Sequence, residues 1–162
     1  MKLAEALALR SDAQKRLAQL QSRAVASARY QEGEEPAERS TELLDQARAT
    51  TDEVESLIRR INRTNATTEL EAGVTITDAI AQRDVLALRR KLVTAVADAA
   101  AGHGGNDDDH VWAMARQMRS ELRQLTDVPA GDLRREADDL ARQYRELDVR
   151  LQAANWATDL VD

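Results

Sequence analysis

Cysteine is absent, which removes disulfides, thiolate nucleophiles and zinc ribbons from the chemistry open to this chain. Phenylalanine is absent as well, and two Trp and two Tyr are the whole aromatic complement. Among the 23 bases only Lys2, Lys15 and Lys91 are lysines, while alanine is abundant. No apolar run approaches the roughly 18 to 20 residues that a spanning helix needs. Met1 to Gln21 interrupts its apolar positions with Glu5, Arg10, Asp12, Lys15 and Arg16, so it lacks the apolar segment of a secretory signal. A cytoplasmic protein with no membrane association is therefore expected. The formal charge of −6 argues against nucleic acid, whose binders carry a basic patch or stripe. At 162 residues the chain fits one domain, able to bury about two-thirds of its unfolded surface.

What is present is helical periodicity, cleanest from Gly131 to Trp156. There Leu133, Ala137, Leu140, Tyr144, Leu147, Leu151 and Ala154 alternate in steps of four and three, the spacing of one apolar seam. Charged residues such as Arg134, Asp138, Asp139 and Arg145 fill the outer face. Such a helix needs partners.

The pattern predicts a first helix over Lys2 to Tyr30, with Leu3, Leu7, Ala13, Leu17, Leu20, Ala24 and Ala28 near one face. Gln31 to Arg39, with Gly33, Pro36 and four glutamates, reads as a loop. Ser40 or Thr41 then caps a second helix that shows Leu44, Ala47, Thr51, Val54, Ile58 and Ile61 and ends near Thr64. Thr67 to Thr77 reads as a short β-hairpin turning at Gly73. Thr77 or Asp78 caps a third helix striped by Ala81, Val85, Leu88, Leu92, Val96 and Ala99, which stops at Gly102 to Asn106. Val111 to Val128 is ambiguous: Val111, Met114, Met118, Leu122 and Leu125 have helical spacing, yet Arg119 to Val128 reads equally as a strand. Up-down-up-down order would bring Asn62 to Asn65, the hairpin, Asn155 and Trp156 to one end.

A resemblance is carried by Ala4-Glu5-Ala6-Leu7, by Gln31 to Glu38, by Ile58 to Asn65 (IRRINRTN), by Thr126-Asp127-Val128 and by Gln152 to Leu160 (QAANWATDL). Together these motifs resemble the septicolysin-like family of small bacterial helical proteins. The resemblance spans nearly the whole chain apart from Gly102 to Met118, and implies a single helical domain more than an activity. The family name suggests a cytolysin. In the family pattern the stretch matching Arg119 to Val128 is more β-like, which favours a third short strand beside the hairpin. A pore, however, needs an apolar helix or hairpin arms of about ten residues.

The best candidate for ligand or partner binding is Asn62, Arg63 and Asn65 with Asn155 and Trp156, where amides and a guanidinium converge beside an indole. The competing account is capping: Asn62 and Asn65 ending the helix, Arg63 complementing its dipole, and Trp156 covering the core end. His103, His110 and Asp107 to Asp109 invite a metal, but their spacing matches no recognised site and reads better as an acidic loop. Glu32, Glu34, Glu35 and Glu38 read as a solvated cluster. Neither a GxGxxG nor a GxxxxGK[ST] sequence occurs, no nucleophile motif accompanies the histidines, and Asp138 and Asp139 face outward. No catalytic residue, metal or cofactor is expected.

The fold class expected is mainly all-α: a single domain over residues 1–162, an antiparallel bundle or coiled coil of about four long helices with a small β-hairpin or three-stranded patch at one end. The function expected is interaction or assembly, with a homo-oligomer and a possible further protein partner, because long Ala/Leu helices poor in aromatics gain by sharing faces. Small-ligand binding or weak catalysis at the Asn/Arg/Trp end is the alternative.

Overall fold

The computed structural model describes residues 1–102 and 125–162. Among these residues four helices and one hairpin follow in order: α1 (Leu3–Ala26), α2 (Ser40–Thr67), β1 (Glu69–Glu71), β2 (Val74–Thr75), α3 (Ile76–Ala100) and α4 (Ala130–Ala157). They fall into two compact units, one of Met1–Ala79 with Arg150–Asp162 and the other of Ile80–Val149.

In the first unit α1 and α2 pair antiparallel, as the ion pairs Arg16–Glu53 and Arg23–Glu38 show. Along α2 the buried positions are Leu43, Thr50, Val54, Leu57, Ile61 and Thr64, with Ala47 half-buried between them. This is an unbroken alternation of four and three, one residue out of phase with the expected Leu44, Thr51 and Ile58. The phase error arises because Leu43-Leu44, Thr50-Thr51 and Leu57-Ile58 are neighbours of like character, between which spacing cannot choose, and two of the true seam positions are threonines. Each donates its hydroxyl to a carbonyl one turn back, Thr50 to Gln46 and Thr64 to Arg60, both at 2.8 Å. With its polar atom satisfied inside its own helix, each threonine can present its methyl group to the core.

On α1 the buried residues are Leu3, Ala6, Ala13, Leu20 and Ala24. Leu17 joins them half-buried as expected, but Ala6 rather than Leu7 holds the deep position, and half-buried Arg10 falls in the same seam. The helix ends at Ala26, short of the expected Tyr30, and Ala28 is exposed. The Ser27 amide donates to the Arg23 carbonyl, and the Ser40 hydroxyl donates to that of Ala24 at 2.7 Å. Ser40 therefore seals the end of α1 and does not cap α2, whose N-cap is Arg39 without a side-chain bond. Glu38 is not simply solvated, since both its oxygens accept from Arg23. Helix α2 runs on to Thr67, three residues past the expected stop.

The hairpin forms where expected, with antiparallel register Glu69↔Thr75 and Glu71↔Val74 and an irregularity between Glu69 and Glu71. Ala72-Gly73 makes the turn, and Gly73 takes φ +77°, a left-handed value that glycine adopts without Cβ strain. The sheet has two strands among the described residues. Of the expected third strand, Arg119 to Gln124 lies outside the described residues, and Leu125 to Val128 has no strand pairing.

Helix α3 starts one residue after β2, capped by Thr75 and not by Thr77 or Asp78. The Thr75 amide donates to Asp78 Oδ2 at 3.0 Å, and the Asp78 amide donates back to Thr75 Oγ1 at 3.1 Å, a reciprocal capping box. Gly102, at φ +80°, follows its last turn. Only Ile76, Ala79, Leu86 and Ala97 of α3 are buried. In the second unit α3 and α4 lie antiparallel: Arg83 reaches Asp148 at 3.4 Å, and Tyr144 lies beside Ala87, Lys91 and Thr94. The seam of α4 is the expected one. Ala137, Leu140, Leu147 and Leu151 are buried, and Leu133, Tyr144 and Ala154 are half-buried.

Candidate functional site

The first candidate lies where the chain after α4 meets the start of α1 and the end of α2. Thr158 accepts from the Leu3 amide at 3.0 Å and the Leu160 amide donates to the Met1 carbonyl at 2.9 Å, so residues 158–160 run as a short antiparallel bridge beside Met1 to Leu3. Lys2 then makes two bonds at once. Its Nζ donates to the Ala157 carbonyl at 3.0 Å and pairs with Asp159 at 2.9 Å. A cation at that carbonyl complements the negative end of the α4 dipole. The lysine holds the Asp159 carboxyl below the usual carboxylate range, first by the hydrogen bond and then by its charge.

From α2 the same tail is held by three side chains. Thr64 Oγ1 accepts the Val161 amide at 3.0 Å, Arg60 pairs with the Asp162 carboxylate at 2.5 Å, and Arg63 donates to the Asp162 main-chain oxygen. Thr64 is fully buried and Arg60 is largely covered, with its Nε buried and unpartnered. The hairpin joins this end through Arg150, which pairs with Glu71 at 2.6 Å.

The expected gathering at one end is therefore present, but the expected site residues divide. Arg63 takes part directly. Asn62 is exposed on α2, and Asn65 and Asn155 are half-buried. Among the described residues no hydrogen bond joins Asn62, Asn65, Asn155 and Trp156 to one another. The capping account also fails in its details. Asn62 and Asn65 sit inside α2, the last turn of α2 holds no basic residue, and Trp156 is 65% exposed and covers no core. Lys2, Arg60, Thr64 and Asp159 take part without having been named as site residues, although Arg60 and Thr64 lie in the motif Ile58 to Asn65 and Asp159 in Gln152 to Leu160; for Lys2 the signal was that it is one of three lysines. The possible metal ligands His103, Asp107 to Asp109 and His110 lie outside the described residues, and among the described residues no cluster of His, Asp or Glu is arranged to hold an ion.

The second candidate is an uncovered face. The stripe expected to be the buried side of α3 is exposed: Leu88 by 67%, Leu92 by 66%, Val85 by 43% and Val96 by 38%, with Ala95 and Ala99 open beside them. Helix α3 is apolar on two sides, so periodicity alone could not choose between them, and the bulkier side is the outer one. Beside this stripe, Arg90, Lys91, Thr94 and Asp98 line a groove closed by Tyr144 of α4. Among the described residues no helix is long and apolar enough to cross a membrane.

These features define a mainly helical protein with a two-stranded hairpin, a tail clasped to two helices and, among the described residues, an open apolar helix face. The chain belongs to DUF6847, a family of unknown function whose pattern matches residues 10–160. It is similar to a functionally unknown conserved protein from Corynebacterium diphtheriae of known crystal structure, with 38% identity over 99% of both chains and a TM-score of 0.84. No curated protein matches it.

Proposed function

We propose that this is a non-catalytic interaction and assembly protein of the cytoplasm, which self-associates through its long amphipathic helices and packs them as an antiparallel bundle. One observation carries the reading. Leu88 and Leu92, one turn apart on α3, are each about two-thirds exposed, continuous with Val85 and Val96. Isolated exposed apolar residues are ordinary, but a run along one helix face marks an association surface. Burying a leucine side chain contributes about 2 kcal/mol, so a pair of such stripes outweighs the exposed ion pairs of the surface. Sedimentation or light scattering across a dilution series tests this. The full chain should associate at micromolar concentration and dissociate on dilution, and a monomer at every concentration would end the reading.

A second reading, recognition of a small anion at the tail end, is supported by the grip of Arg60 and Arg63 on Asp162. Arg60 takes the side-chain carboxylate and Arg63 the main-chain oxygen of the same residue, so two guanidinium groups stand close enough to share an anion. A melting shift on adding citrate or phosphate, lost in Arg63→Ala, is the expected result.

A further inference from the structure

We propose that the occupant of the open α3 face is the α3 of a second copy of this chain, lying parallel and in register; the inference rests on the self-association reading and fixes its geometry. Val85, Leu88, Leu92, Ala95 and Ala99 step by three and four, which makes Val85, Leu92 and Ala99 one set of seam positions and Leu88 and Ala95 the other. Val85 in the first set with Leu88 in the second is the one layer of the seam that has the β-branched and leucine order of parallel two-stranded pairing. Leu86 and Ala97, buried within the chain's own fold, lie on the far side of the helix, so among the described residues this seam is left exposed.

The flanking charges decide the orientation. Asp84 and Arg89 stand on opposite edges of the seam, and a parallel pair brings Asp84 of each copy to Arg89 of the other, five residues on, twice by symmetry. An antiparallel pair with leucines in register would instead set Arg89 near Arg89 and Lys91 near Lys91. Both flanking residues are exposed, and Asp84 already accepts from Arg83 at 2.9 Å, through Oδ1. Its other oxygen remains for the second copy. Arg89 makes no ion pair among the described residues. Small Ala95 and Ala99 allow the two helices to approach closely toward their C-terminal ends.

The absence of native cysteine makes the test direct. Leu88→Cys and Leu92→Cys, each alone in the full chain, should form a disulfide-linked dimer under a glutathione buffer, because in-register seam positions fall within the roughly 4.4 to 6.8 Å Cα separation a disulfide needs. Arg90→Cys, off the seam, should remain monomeric on a denaturing gel. Asp84→Arg and Arg89→Asp should each weaken association, by roughly three- to tenfold for an exposed pair made twice, and the double variant should restore it. If only a mixture of the two leucine variants links, the pairing is antiparallel and the proposal is overturned. If the wild type associates by light scattering while neither variant links, the α3 geometry fails and self-association stands. A wild type that is monomeric throughout overturns both.

Discussion

Two buried threonines on one seam of α2 have the same intrahelical bond and different second duties. The Thr50 hydroxyl serves only the Gln46 carbonyl, whereas Thr64 both donates to Arg60 and accepts the Val161 amide. Replacing Thr50 with valine should therefore be close to neutral, since its carbonyl partner is already bonded within the helix. Replacing Thr64 with valine leaves a partly buried amide without an acceptor and should cost about 1 to 3 kcal/mol. Urea unfolding of the two variants checks the contrast. Thr75 offers a second case. Alanine there removes the N-cap of α3 and should cost about 1 kcal/mol, seen as a melting temperature lower by about 2 to 4 °C. The pH dependence has a definite sign. The Thr75 hydroxyl, then its amide, hold the Asp78 carboxyl below its ordinary 3.8. Folding thus lowers this pKa, so the contribution is complete above 3.8 and disappears as pH falls through the lower, folded value. The melting difference between wild type and Thr75→Ala should narrow from about pH 7 to about pH 3. A difference that widens on acidification would show that the carboxylate is not what holds the cap.

At the scale of the element, the hairpin turn gives the cleanest expectation. Gly73 has φ +77° and open space where a Cβ would stand. Gly73→Ala should thus cost only the left-handed backbone penalty, roughly 1 to 2 kcal/mol, with no steric addition, and a hydrogen-exchange map should localise the loss to residues 69–76. The helices and the hairpin were legible because each has periodicity or turn chemistry, and the α4 seam was legible because most of its apolar positions are large and its outer face is charged, though buried Ala141 beside it was not expected. The α2 seam slipped by one at three positions because Leu43-Leu44, Thr50-Thr51 and Leu57-Ile58 pair residues of like character, so that either phase gives an apolar stripe of the same period. The α3 face was inverted because Ile76, Ala79, Leu86 and Ala97 form a second apolar side that is smaller and deeper. The α3 cap was within reach: Thr75-Ile76-Thr77-Asp78 carries the T-x-x-[DE] spacing of a capping box. The tail clasp was not. Lys2 and Asp159 are far apart in sequence, and no local pattern announces that a main chain will run beside another.

The chain therefore closes on itself, with the residues after α4 held by both Met1 to Leu3 and the end of α2, and magnitudes show which bonds secure that closure. Asp162 is 97% exposed, and a pair so open to water contributes about 0 to 1 kcal/mol. The backbone bonds Leu3 to Thr158 and Leu160 to Met1, with Val161 on buried Thr64, are the stronger restraint because their rupture strands groups away from water. Arg60→Ala with Arg63→Ala should accordingly leave the melting temperature within a few degrees and raise the exchange rate of the Val161 amide only modestly. Thr64→Val should raise that rate by about tenfold or more, since about 1.4 kcal/mol is a factor of ten in local opening. Added salt should mimic the arginine variant and not the threonine one, because screening reaches exposed charges and leaves buried hydrogen bonds untouched. If high salt or loss of the two arginines freed Val161 as completely as Thr64→Val does, the tail would be held by charge, and the clasp would be a switch that an anion could open.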